Sequence, residues 1–329
     1  MNKIGVIGSG SWGLTLAIML HEKGNDVTVL CRTLEKKESL EKTRRDPRRL
    51  GDFLIPTGIK FSADPMDLTP CDYIIFAVPS EFFRAYLTRI HEFIKTKKLI
   101  SVIKGIEEKT FKTPSEIIED FFPESQIAVL TGPSIAREVL ARIPTSVVVA
   151  SKDEKYAQEV QLLFHTNYFR VYYSKDIKGC ELGGATKNVI AIAAGILDGL
   201  GFGANTKGAL IVRGAREIMR LGERLGADPI TISGLSGIGD LITTCFSRYS
   251  RNRIVGEELA KGRKLEEILE SLNMVAEGVH TSHVLYELAK EINIEMPVVD
   301  MVHRILLGEI TPEKAIEHIM NRPPKPEFY

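Results

Sequence analysis

The feature that most constrains this chain lies at its very start. Residues 3–7 form a short apolar run that reads as a strand, and it leads without a spacer into Gly8-Ser9-Gly10-Ser11-Trp12-Gly13. Residues 14–23 then follow a helical pattern that stops at Gly24, and residues 26–31 are a second run rich in β-branched side chains. Glycines at this spacing, between a strand and a helix in a βαβ unit of about 30 residues, have separate physical tasks. The first allows a tight turn, the second lets backbone approach a pyrophosphate, and the third lets the helix pack closely on the strand. The helix N-terminus then faces the anion. This opening predicts a parallel α/β sheet with a dinucleotide at its carboxyl edge.

The alternation continues. Apolar runs at residues 72–78, 99–103, 127–130, 146–150 and 169–173 are separated by helical patterns such as 81–94 and 153–164. Strands alternating with helices predict a mostly parallel sheet covered on both faces. Past about residue 176 the β-rich runs cease. Leu182, Ala185, Val189, Ile192 and Ile196 recur at helical spacing, as do residues 209–225 and 284–292. The expected architecture is an α/β Rossmann-type domain over residues 1–176 followed by an all-α domain over 177–329, with Pro323, Pro324 and Pro326 in a loose tail. A chain of 329 residues suits two domains of ordinary size.

Charge and cysteine usage narrow the function. Lys+Arg and Asp+Glu balance at 43 each, which argues against a nucleic-acid surface. Cys31, Cys71, Cys180 and Cys245 show no CxxC spacing, so neither a disulfide framework nor a metal site is expected. A signal-type leader and a run of about 18 apolar residues are both missing. The expectation is a cytoplasmic protein without a membrane span, acting on a small molecule.

Several polar residues stand where a scaffold alone would not need them. Where the second strand ends, an acid would bind the ribose 2′-hydroxyl of NAD; here Arg32 follows Cys31, and its forked donors suit a 2′-phosphate. NADP(H) is therefore an expected cofactor beside NAD(H). The neighbouring Arg44, Arg45, Arg48 and Arg49 read as a solvated loop. Lys104 comes just past an apolar run, at the carboxyl edge where ligands bind in open sheets, and Thr131-Gly132-Pro133-Ser134 repeats that placement. Lys187 lies on a helix beside Gly183, Gly184, Ala191 and Ala194, opposite the Leu182/Val189/Ile196 stripe. Small neighbours let such a lysine touch a ligand closely.

GSGSWG, VIKGIE, TGPS, LGGATKNVIAIAAGILDGLGFGANTK, GLSGIGDLITTC, SRNR and VAEG occur in this order along residues 8–278. Together they resemble the motifs of the soluble, bacterial-type NAD(P)-dependent glycerol-3-phosphate dehydrogenases, over about residues 3–310. The resemblance implies hydride transfer between NAD(P)H and dihydroxyacetone phosphate, giving sn-glycerol 3-phosphate for phospholipid synthesis, by a homodimer with its active site between the two domains. It assigns Lys187 as general acid/base and Lys104 as a second cation that orients substrate, and adds two further catalytic residues, Asp240 contacting Lys187 or a substrate hydroxyl and Thr244 orienting the substrate. Ser250, Arg251 and Asn252 become the phosphate grip, with Arg253 structural, while Gly132 and Ser134 line the substrate pocket. Gly8, Gly10, Ser11, Trp12, Gly13, Arg32, Lys104, Ala136, Arg251, Val275 and Glu277 line the cofactor. Residues 35–55 depart from the family pattern, and Cys31 stands where relatives often carry a large aromatic residue.

Two other readings fit part of this. A 3-hydroxyacid dehydrogenase of similar build would also place a lysine and an asparagine on the first helix after the sheet, but it recognises a carboxylate, whereas SRNR and Lys104 suit a dianion. A non-catalytic dinucleotide sensor would keep the glycines with no reason to hold Lys187, Asp240 and Arg251.

Overall fold

The computed structural model describes residues 1–272 and 276–327. Its first half runs β1 (Lys3–Ile7), α1 (Ser11–Glu22), β2 (Asp26–Leu30), α2 (Leu34–Thr43), α3 (Pro47–Leu50), β3 (Lys60–Ser62), β4 (Tyr73–Phe76), α4 (Phe83–Ile90), β5 (Lys98–Ser101), α5 (Pro114–Phe121), β6 (Gln126–Thr131), α6 (Ala136–Leu140), β7 (Thr145–Ala150), α7 (Glu154–Phe164) and β8 (Phe169–Ser174). The strands form one sheet in the order β3-β2-β1-β4-β5-β6-β7-β8. Every pairing is parallel except β6 with β7. The chain order reverses between β1 and β4, the switch point where open sheets bind ligands beyond the carboxyl ends of their strands.

Period-two alternation fills both faces. Val6, Val29, Ile75, Ile100 and Leu130 pack on one side with Leu14 and Leu16 of α1 and with Tyr156 and Phe164 of α7. On the other, Ile7, Leu30, Ile74, Phe76 and Leu99 pack with Phe83, Leu87 and Ile90 of α4 and with Ile117 and Ile118 of α5. Two segments differ from expectation. The stretch 35–55 holds α2 and α3 rather than a plain loop, and β3 adds an edge strand that the apolar runs did not reveal. The helical pattern of 81–94 is a single α-helix of eight residues flanked by 3-10 turns.

The second half is helical: α8 (Ile177–Gly199), α9 (Ala204–Arg224), α10 (Pro229–Ser233), a π-type turn at Leu235–Gly239, α11 (Asp240–Phe246), α12 (Arg251–Ala260), α13 (Leu265–Leu272), α14 (Glu277–Glu291), α15 (Pro297–Leu306) and α16 (Pro312–Met320). Helix α8 is its axis. Its length and apolar composition would allow it to cross a membrane, but 94% of its most apolar window is buried inside the protein, so it is a core helix. It is enclosed all round rather than on one stripe, because its glycines admit neighbours at backbone distance. A Cβ on Gly195 would lie 1.8 Å from the Arg253 carbonyl oxygen of α12, and one on Gly256 would lie 1.9 Å from the Ile192 carbonyl oxygen of α8.

Candidate active site

The carboxyl ends of β5 and β6 face the N-terminal half of α8, where a Cβ on Gly184 would lie 3.0 Å from Thr131 Oγ1 and 3.6 Å from Lys104 Cγ. Beyond β1, Gly8 has φ +117°, and a Cβ there would sit 2.5 Å from the Ala77 carbonyl oxygen. At Gly13 a Cβ would lie 2.1 Å from the Gly8 carbonyl oxygen, so this glycine lets α1 close onto the turn. A Cβ on Gly10 would meet nothing within 4 Å. Gly10 thus borders open space at the start of α1, whose first turn carries no acid and whose N-terminus has no side-chain cap. These are the conditions for holding a pyrophosphate. Ser11 opens that first turn, and the Trp12 indole packs into the sheet core, 6.4 Å from the Phe169 ring. Arg32 is exposed just past β2.

The two lysines meet at one carboxylate. Asp240, 1% exposed at the start of α11, accepts through Oδ2 from Lys104 Nζ at 2.5 Å and through Oδ1 from Lys187 Nζ. Lys104 also donates to the Gly132 carbonyl oxygen at 3.3 Å, which ties β5 to β6. Lys187 also donates to Thr244 Oγ1 at 2.8 Å, while Thr244 donates to the Asp240 carbonyl oxygen at 2.7 Å one turn back. Burial pushes Lys187 down to about 7, with the Lys104 charge assisting and Asp240 opposing. Two ammonium groups share one carboxylate, so the pocket keeps a positive excess for an anion.

Around this centre the expected residues fall into three groups. Gly132 has φ +132°, and Ser134 Oγ donates to its carbonyl oxygen at 3.0 Å, beside the Lys104 contact. Ser250 caps α12 by accepting from Arg253 N at 3.3 Å, so its hydroxyl oxygen serves the helix. Asn252 donates to Asn188 Oδ1 at 2.9 Å and accepts from Gly278 N at 3.0 Å, joining α8, α12 and α14. Arg251 opens α12, its basicity lowered by burial and sustained by Glu277. Arg253 pairs with Asp198 at 2.6 Å and with Glu257 at 3.2 Å. Ala136 begins α6, and Val275 lies outside the described residues.

Ser80 was not among the expected residues. It donates to Glu277 Oε2 at 2.7 Å, joining the loop after β4 to the first turn of α14, and burial raises the Glu277 carboxyl. A Cβ on Gly105 would lie 2.1 Å from Ser80 Oγ, so the glycine after Lys104 makes room for this contact. The signal available in sequence was only the position of Ser80 past an apolar run. Its partner lies 197 residues away.

Comparison with known proteins places the chain in one family over nearly its whole length. The family model of the NAD-dependent glycerol-3-phosphate dehydrogenase N-terminus matches residues 3–157, and that of the C-terminus matches residues 176–317. A glycerol-3-phosphate dehydrogenase (NAD(P)+) of Chlorobium phaeobacteroides is 45% identical over 99% of this chain and 100% of that protein. A crystal structure of glycerol-3-phosphate dehydrogenase from Coxiella burnetii superposes with a TM-score of 0.94 at 34% identity, covering 98% of this chain and 99% of that one. The Saccharomyces cerevisiae glycerol-3-phosphate dehydrogenase structure gives a TM-score of 0.81 at 26% identity, covering 97% and 99%.

Proposed function

The chain belongs to the NAD-dependent glycerol-3-phosphate dehydrogenase family, and on that premise we propose how its own residues carry out the reaction. It is an NAD(P)-dependent oxidoreductase that interconverts dihydroxyacetone phosphate and sn-glycerol 3-phosphate. A bound nicotinamide cofactor would supply or accept the hydride at carbon 2. Residues 1–176 would hold it: Gly8, Gly10, Gly13, Ser11 and the backbone at Trp12 at the pyrophosphate, Arg32 at the adenosine end, and Lys104 and Ala136 along the cleft. From the other half, residues 177–329, Arg251 and Glu277 complete that wall.

Reduction places negative charge on the ketone oxygen, which needs a positioned donor. Lys187 is that donor, and it takes the proton back in the oxidation. The observation that carries this role is that Lys187, 6% exposed, is aimed by Asp240 and Thr244 while the second cation, Lys104, shares the same carboxylate. Burial and the like charge make the ammonium acidic enough to act near neutral pH. Lys104, Gly132 and Ser134 position the substrate. Arg251 takes the phosphate as a charge-assisted donor, with Ser250 and Asn252 setting the start of α12 that aims it. Family membership also supports a cytoplasmic homodimer whose product supplies phospholipid backbones.

The test is the rate at which NADPH or NADH absorbance falls with dihydroxyacetone phosphate, compared with a 3-oxo acid. Steady turnover with the phosphorylated ketone alone is expected. Turnover confined to the 3-oxo acid would assign the carboxylate-recognising alternative, and no turnover with either would assign a sensor.

A further inference from the structure

The basic segment before residue 50 is not uniformly solvated. Arg45 and Arg48 are exposed. Arg44 is a loop staple: its Nη1 donates to the Ile59 carbonyl oxygen at 2.7 Å, and its guanidinium lies 5.2 Å over the Phe61 ring. Arg49 is placed differently. Asp46, 6% exposed, caps α3 and accepts from Arg49 Nη1 at 2.9 Å and from Lys36 Nζ at 2.6 Å, and Leu50 is sealed in the α/β core. The turn that presents Arg49 is therefore fixed at both ends.

That turn lies against α6. Gly51 follows with φ +66°, and a Cβ on it would lie 3.6 Å from the guanidinium carbon of Arg137 on α6. Arg137 in turn lies 5.5 Å over the ring of Tyr249, two residues before Arg251. Three segments remote in sequence thus converge: the α3 turn, α6, and the start of α12. The Arg49 charge is also one of the causes that lower the basicity of Arg251. Neighbouring guanidinium groups repel unless an anion lies between them.

We propose that Arg49 is a further phosphate-directed residue, forming with Arg137 and Arg251 a cationic wall that positions a phosphate dianion. This rests on the dehydrogenase reading, which supplies two sources of that dianion: the substrate phosphate and the 2′-phosphate of NADP(H).

Kinetics of Arg49→Met, Arg49→Lys and Arg48→Ala in the full-length protein test it. Arg49→Met should raise a KM by about fivefold, the upper range for a partly exposed charge pair, with kcat nearly unchanged. Arg49→Lys should restore the parent value, Arg48→Ala should match the parent, and the difference should shrink as ionic strength rises. A rise for dihydroxyacetone phosphate, paralleled by weaker inhibition by inorganic phosphate, identifies the substrate phosphate. A rise for NADPH but not NADH identifies the 2′-phosphate. Unchanged KM values in all variants would overturn the proposal while leaving the dehydrogenase reading intact. So would a salt-insensitive rise that Lys does not rescue, since that marks a loop role alone. Should the parent lack activity, the dehydrogenase reading fails instead, and calorimetric titration with inorganic phosphate still decides whether Arg49→Met weakens an anion site.

Discussion

At the scale of single residues, the chemistry turns on which of two lysines gives the proton. Both reach Asp240, but they differ in surroundings. Lys187 has 7% of its side chain exposed against 20% for Lys104, and only Lys187 is also held by Thr244. Lys187→Ala should therefore lower kcat by at least about a hundredfold, the minimum usual for general acid–base catalysis, with cofactor binding intact. Lys187→Arg should rescue little, because a guanidinium hardly releases its proton. The pH dependence has a defined sign. Reduction needs protonated Lys187, so its kcat/KM should fall as pH rises through about 7, while oxidation needs the free amine and should gain over the same range. Near-normal kcat in Lys187→Ala, together with a large loss in Lys104→Ala, would reverse the two roles.

At the scale of elements, the site depends on how closely α12 approaches α8. The helices meet through Gly195 and Gly256 at backbone distance, and α12 carries Arg251 at its N-terminus. Gly256→Ala adds a methyl group 1.9 Å from the Ile192 carbonyl oxygen, so the helices must part. Overpacking of this kind costs about 1–3 kcal/mol. A lower Tm and a raised KM for dihydroxyacetone phosphate are expected together, since the phosphate grip moves with its helix. Gly208→Ala on α9 provides the contrast. A Cβ there meets nothing within 4 Å, so the change should leave KM alone and raise stability by about 0.4–1 kcal/mol. Equal melting behaviour of the two variants would mean that the crossing tolerates separation.

At the scale of the whole molecule, buried carboxylates join the sheet to the helices. Glu181 of α8, 3% exposed, accepts from Ser115 N at 2.8 Å and from Ser115 Oγ at 2.6 Å, tying the N-terminus of α5, a helix that covers the sheet, to α8. Burial raises its carboxyl to about 7 from 4.5. The native state thus holds this proton through a window in which the unfolded chain has released it, and stability falls as pH rises from about 4.5 to 7. Glu181→Gln keeps an acceptor for the backbone donor and has no proton to lose. Its Tm relative to the parent should improve between pH 5 and pH 8 in thermal melts. A difference independent of pH would show that Glu181 is charged throughout.

Features set by local chemistry are legible along the chain. Gly8 and Gly13 are legible because a turn and a packing contact each exclude a side chain within a few residues, Gly10 because a pyrophosphate needs open backbone there, and the change from period-two to helical spacing near residue 176 announces the two kinds of layer. The Lys187 and Asp240 segments were legible as motifs, but the bond between them spans 53 residues and exists only once α11 packs on α8. Tertiary structure alone decided the rest. It turned Ser80 toward Glu277, took Ile106 and Phe111 from the first half into the core of the second, and separated Arg49 from Arg45 and Arg48. It also ran β7 against β6, because β7 and β6 are joined through the five-residue helix α6, which lets the chain turn back beside the strand it has just left. Periodicity reports which face of an element is buried. Which partner buries it depends on contacts between residues far apart in the chain, and those form only as the layers come together.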